Sequence, residues 1–157
     1  DTVLMIGDTL FGPDVLARLL REASAPVTVT ADAKAHYDAD DMKIRTEGDR
    51  LTAIGKSLDG SVDGESIGLL RFLGGGGGLF RAAMLRALAQ PEALKRWYLS
   101  IVDALAVEGH VGVVRLAGEP WAEVDFPTDM IHAEATVAAF RDLLDAGASR
   151  PAVAGRA

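Results

Sequence analysis

The chain has 157 residues, 49% of them hydrophobic and 25% charged, with a formal net charge of −7. That is enough for one domain with a packed core, and the acidic balance argues against nonspecific binding to nucleic acid or to an anionic membrane. The lack of cysteine excludes disulfides, iron–sulfur clusters and thiol catalysis and suits the cytoplasm, while no apolar stretch approaches the roughly 20 residues of a membrane span and no signal-peptide pattern opens the chain. The first residue is Asp1 rather than Met, and a strand follows almost at once, so an upstream part is expected to be missing.

In chain order, Thr2 to Ile6 is an apolar run bounded by Gly7, the pattern of a fully buried strand. Gly12-Pro13-Asp14 opens a helix to about Ala23, with proline in its first turn and an acid favourable to the helix dipole. Pro26 to Ala31 alternates and is β-branched, which completes a βαβ unit. A polar loop over 32–41 leads to two short strands, Met42 to Thr46 and Leu51 to Lys56, joined as a hairpin. Glu65 to Phe72 is another strand. The five glycines Gly74 to Gly78 should form a mobile connector. Leu79 to Ala89 is a helix. Pro91 to Val107 gives one or two more, with Leu94, Trp97, Tyr98, Ile101, Val102 and Leu105 on an apolar face. Val111 to Leu116 and Trp121 to Val124 are strands, and Pro127 starts a last helix to about Leu144. Residues 1–146 are read as part of one domain and 147–157 as a flexible tail.

Two acidic sites stand at the ends of this plan. Asp8 follows the first strand, either as a metal ligand or as a helix N-cap or turn residue. Glu123 and Asp125 lie on one side of a strand by its period of two. They form either a repelling pair that a cation would relieve or an exposed strand end in which Asp125 caps the next helix. Lys56, beside Gly55, either neutralises a phosphate or is an ordinary surface lysine. The glycine run is no phosphate-binding loop, because Gly78 is followed by Leu79-Phe80 rather than by lysine and a hydroxyl residue. His36, His110 and His132 have no ligand spacing, and Asp38, Asp40 and Asp41 read as a solvated run. Trp97 and Tyr98 read as core, Trp121 as a residue beside the carboxylates, and Tyr37 as a loop residue able to pack on a cationic ligand.

Taken together, five segments resemble the C-terminal portion of nucleotidyltransferases of the sugar-phosphate and phosphocholine or phosphonate cytidylyltransferase type. They are Val3-Leu4-Met5-Ile6-Gly7-Asp8; Asp41-Met42-Lys43-Ile44 with its hairpin; Ile54-Gly55-Lys56; Asp63-Gly64-Glu65-Ser66-Ile67-Gly68; and Pro120-Trp121-Ala122-Glu123-Val124-Asp125 with Pro127 and Asp129. The resemblance runs from Val3 to near Ala138. It implies an α/β, Rossmann-like mixed sheet with flanking helices and transfer of a nucleotidyl group to a phosphorylated acceptor with release of pyrophosphate. It further implies that Asp8 and Asp125 hold a catalytic Mg²⁺ with Glu123 nearby, and that Lys56 contacts the acceptor phosphate. Glu65 and Gly68 would line the acceptor pocket with Trp121 at its edge. The wording around Lys43 and Lys56 leans toward CTP as donor and a phosphocholine-like or phosphonate acceptor, with Lys43 as a further substrate-binding residue and Tyr37 as a candidate for a cationic head group. The family's Gly-rich nucleotide loop, on the order of 100 residues with its half-domain, has no counterpart here, so this chain is expected to be inactive alone. The alternative is a non-catalytic remnant that binds a ligand or forms a homodimer through an open sheet edge. A third is an unrelated phosphate-binding α/β domain.

Overall fold

The computed structural model describes residues 1–148. Six strands form one mixed sheet: β1 (Thr2–Met5), β3 (Val27–Asp32), β4 (Lys43–Glu47), β5 (Arg50–Gly55), β6 (Gly64–Phe72) and β7 (Val111–Arg115), in the order β1-β6-β3-β7-β5-β4. The β3–β7 pair is parallel and the other pairs are antiparallel. Strand β4 also pairs with β6 through Lys43↔Glu65 and Ile44↔Gly64, which folds the hairpin back onto the sheet centre. A separate two-stranded ladder joins β2 (Thr9–Phe11) to β8 (Trp121–Glu123).

Helices cover both faces, as expected of a Rossmann-like mixed sheet. On one side α2 (Gly76–Leu88) and α3 (Leu99–Val107) bury Val102 and Leu105 against Val27, Val29, Ile44, Leu51 and Leu70. On the other, α1 (Pro13–Glu22) packs Val15 and Leu19 against Ile67, Leu69, Val114 and Leu116. Strand β6 feeds both cores by its alternation, Ile67 and Leu69 to one face, Leu70 and Phe72 to the other. The last helix, α4, spans Met130–Ala148 after a 3₁₀ turn at Pro127–Asp129. It therefore takes in the first two residues of the expected tail, and residues 149–157 of that tail lie outside the described residues.

Three expectations need correction. Strand β1 is not fully buried: it pairs with β6 alone, leaving Val3 39% and Met5 56% exposed. A short apolar run has the same appearance at a sheet edge as at its centre. The glycine run is no free connector, because α2 begins inside it. Gly76 donates its N–H to the Leu73 carbonyl at 2.8 Å, and Leu73 donates to Pro26 at 2.9 Å. Gly76 is buried against that turn, where a Cβ would lie 1.7 Å from the Pro26 oxygen. Trp97 is not core. It sits on the connection between a 3₁₀ turn at Pro91–Lys95 and α3 and is 64% exposed, while Leu94 is 98% exposed. The helical spacing is broken at Arg96, whose backbone is extended.

Candidate functional site

The ladder between β2 and β8 builds the acidic site. It pairs Thr9 with Glu123, Leu10 with Ala122 and Phe11 with Trp121, and Val124 donates its N–H to the Asp8 carbonyl at 3.0 Å. Asp8, Glu123 and Asp125 are thereby gathered so that one carboxylate oxygen from each lies within 4.8 Å of the others. Asp8 is not a helix N-cap, because β2 follows it and Gly12 occupies the N-cap of α1. Nor does the Asp125 carboxylate cap the helical turn behind it. Asp129 does so, accepting the N–H groups of Asp125 at 3.0 Å and Phe126 at 2.8 Å.

The cluster concentrates negative charge at a partly open site, with Asp8 half-buried and Glu123 and Asp125 exposed. Asp8 Oδ1 is buried without a hydrogen-bond partner, which is costly for a carboxylate oxygen unless something positive satisfies it. Burial, and then the charges of Asp125 and Asp8, push the Glu123 carboxyl above its usual range. Three hard oxygen donors with an unsatisfied buried lone pair fit Mg²⁺.

The cluster forms one wall of a cleft of about 360 Å³ that also takes in Lys56, Glu65, Gly68, Trp97 and Tyr98. Lys56 stands at the end of β5, its Nζ 3.1 Å from Asp40 and 4.6 Å from the centroid of the Trp97 ring. Gly68 has φ +74°, and a Cβ there would meet Thr9 Oγ1 at 3.0 Å and Ile6 at 3.1 Å, so a side chain would crowd the cleft wall. Glu65 is buried and bonds Lys34 at 2.9 Å, and Lys34 also holds Asp41 at 2.9 Å. Burial pushes the Glu65 carboxyl up to about 7, with Lys34 opposing. The Asp38–Asp41 run is thus only partly solvated, since Asp41 is tied to Lys34 and accepts the Asp38 N–H at 2.6 Å.

Not every candidate reaches this cleft. Lys43 spends its ammonium on main-chain carbonyls of Asp38, Asp41 and Lys56, the last at 2.9 Å, and so ties the acidic loop to the end of β5. The Tyr37 hydroxyl accepts the Lys34 N–H at 3.3 Å within its own loop. Trp121 donates Nε1–H to Asp32 at 2.7 Å and lines an adjoining cleft of about 440 Å³ that shares Glu65 and Glu123 with the first. Sequence reasoning missed the Trp97-Tyr98 pair as site residues. The Tyr98 hydroxyl is buried without a partner. Burial and the nearby Asp8 and Glu123 charges push it up to about 12. The available signal was its place between Lys95-Arg96 and the start of α3.

No family model matches the chain, and no curated protein does. Solved structures do. One is the inositol-1-phosphate CTP transferase of T. maritima, with a TM-score of 0.62 and 16% identity over 89% of this chain and 56% of that one. Another, from Bacillus anthracis and solved with sucrose, is assigned as a glucose-1-phosphate thymidylyltransferase; it gives a TM-score of 0.64 and 12% identity over 89% of this chain and 54% of that one. The fold is one that nucleotidyltransferases share. The chain spans about half the length of these two structures. No helix among the described residues is long and apolar enough to cross a membrane.

Proposed function

We propose that this chain is the metal-binding and acceptor-binding half of a nucleotidyltransferase, which joins a nucleoside triphosphate, CTP in preference, to a phosphocholine-like or phosphonate acceptor and releases pyrophosphate. The observation that carries this reading is the acidic cluster of Asp8, Glu123 and Asp125, with an unsatisfied buried oxygen, lining one cleft together with Lys56. In this reading Asp8 and Asp125 hold Mg²⁺ with Glu123 beside them, and the ion, when bound, supplies charge neutralisation at the phosphates. Lys56 neutralises the incoming acceptor phosphate and orients its oxygen for in-line attack on the α-phosphorus. Glu65 and Gly68 shape the acceptor pocket, and Trp121 extends it into the adjoining cleft. Lys43 contributes by holding the loop and strand end that place Lys56, and Tyr37 closes the loop on the far side. The protein need form no covalent intermediate, so the lack of a nucleophile constellation is no objection.

The reading is tested in two steps. Mn²⁺ as a paramagnetic stand-in should bind this chain, and Asp8→Asn or Asp125→Asn should weaken it at least about tenfold, since even an outer-shell partner of a metal ligand typically counts for that much. Undiminished binding in both variants would sink the metal assignment. Pyrophosphate release from CTP with Mg²⁺ and phosphocholine is then expected only from a polypeptide that adds a nucleotide-binding half. Turnover by this chain alone would overturn that division.

One observation favours a second reading, a ligand-binding remnant that dimerises. The outer edge of β1 is unpaired among the described residues, and Val3 and Met5 are exposed beside it.

A further inference from the structure

We propose that Trp97 is a positioning residue for Lys56, and that Asp40 is a resting counter-ion that a phosphorylated substrate displaces. The proposal rests on the reading of Lys56 as the group that meets a substrate phosphate. All three residues line the same cleft. A lysine carries its charge on a flexible four-carbon stem, so its ammonium must be placed by its neighbours. Two neighbours do so here, and they differ in kind.

Asp40 is easily lost. Its carboxylate is 78% exposed, and its partner among the described residues is Lys56 at 3.1 Å. The loop around it is pinned by other groups: Lys43 binds the carbonyls of Asp38 and Asp41, and Asp41 accepts the Asp38 N–H. The Asp40 side chain can therefore swing away without disturbing its backbone. An exposed ion pair of this type holds weakly and gives way to a dianion.

Trp97 stands on a fixed backbone. Its carbonyl accepts from the Ser100 N–H at 2.9 Å and the Ser100 hydroxyl at 2.8 Å, which ties its main chain to the first turn of α3. Trp97 is 64% exposed, so burial does not explain its place. Its face lies 4.6 Å from Lys56 Nζ, within cation–π range. An anion cannot compete for an aromatic face, so the platform persists while the counter-ion exchanges.

The experiment follows the Lys56 resonance in the ¹³C-dimethylated chain, assigned by Lys56→Arg and resolved from Lys34, Lys43 and Lys95. Ring current should place it upfield in the wild type, and Trp97→Leu should return it to the ordinary lysine position while leaving the other three unmoved. Titration with inorganic phosphate should shift the Lys56 resonance. Asp40→Asn should tighten phosphate about two- to fivefold, the reach of an exposed ion pair. Trp97→Leu should weaken it about three- to tenfold, with Trp97→Phe recovering most of the loss. An ordinary Lys56 position in the wild type, or one indifferent to Trp97→Leu, overturns the proposal, as does phosphate that leaves it unmoved. None of these readouts needs turnover. A chain that passes them yet supports no nucleotidyl transfer when joined to a nucleotide-binding half retires the reaction alone, whereas transfer by that longer polypeptide that survives a failed titration retires the positioning role alone.

Discussion

At the scale of single residues, Glu65 is a buried carboxyl held far from its usual range. It is buried beside Lys34, and its carboxyl is raised from 4.5 to about 7. A raised carboxyl binds its proton more tightly in the folded chain than in the unfolded one. Between pH 4.5 and 7 the folded state therefore holds more protons, and stability falls as pH rises through that window. Above it, both states are ionised and the loss is complete, on the order of 3 kcal/mol. Glu65→Gln carries the uncharged form at every pH and keeps the shape. Urea unfolding of the two proteins at pH 5 and pH 8 should show the wild type losing ground to the variant as pH rises. An equal difference at both values would mean that Lys34 keeps Glu65 ionised throughout. The residue itself was legible as a pocket group from its place in the Gly64-Glu65-Ser66-Ile67-Gly68 segment. Its coupling to Lys34 was not, because Lys34 sits on a loop whose path follows from tertiary packing.

At the scale of elements, the glycine run is the part whose reading changed most. Local composition argues for a mobile connector, and packing overrides it by seating Gly76 on the Pro26 carbonyl. The five positions should therefore behave differently. Gly76→Ala must drive a methyl into a backbone oxygen 1.7 Å away, so the turn or α2 has to move. A loss above about 3 kcal/mol follows. Gly77 and Gly78 are exposed in the first turn of α2 with nothing within 4 Å of a Cβ. Alanine at either should gain about 0.5–1 kcal/mol from helix propensity. Thermal unfolding of the three variants decides it, and equal small effects would return the run to the role of a loose linker. The same contrast explains what the sequence left hidden elsewhere. The strands β3 to β7 were legible because each carries alternation or a long apolar run. Strand β2 was not, because Thr9-Leu10-Phe11 carries no period of its own, and its ladder to β8 shows how Asp8 and Glu123, which the resemblance assigns to one site, come together. The carboxylates were thus identifiable as types, and their juxtaposition was a product of pairing between distant segments.

At the scale of the whole molecule, the sheet is unevenly protected. Its centre is covered by α1 on one face and by α2 and α3 on the other, whereas among the described residues β1 has a neighbour on one side only. Leu4 turns inward to the core, and Val3 and Met5 face the opposite side, past the reach of α1. A flat apolar edge with free main-chain donors and acceptors is a template for another strand. The net charge of −7 opposes close approach of two copies but acts over the whole surface, and salt screens it. Self-association through β1 should therefore strengthen with ionic strength, the reverse of an interface held by salt bridges. Sedimentation velocity over a range of concentrations at low and high salt tests this directly. Val3→Lys with Met5→Lys should abolish the association by placing charge on the edge strand, while leaving the unfolding midpoint nearly unchanged because both side chains are already exposed. Leu94→Lys with Val107→Lys serves as the control, since those residues are 98% and 75% exposed but lie on no strand. If the control pair abolishes association and the β1 pair does not, copies meet on the helical face instead.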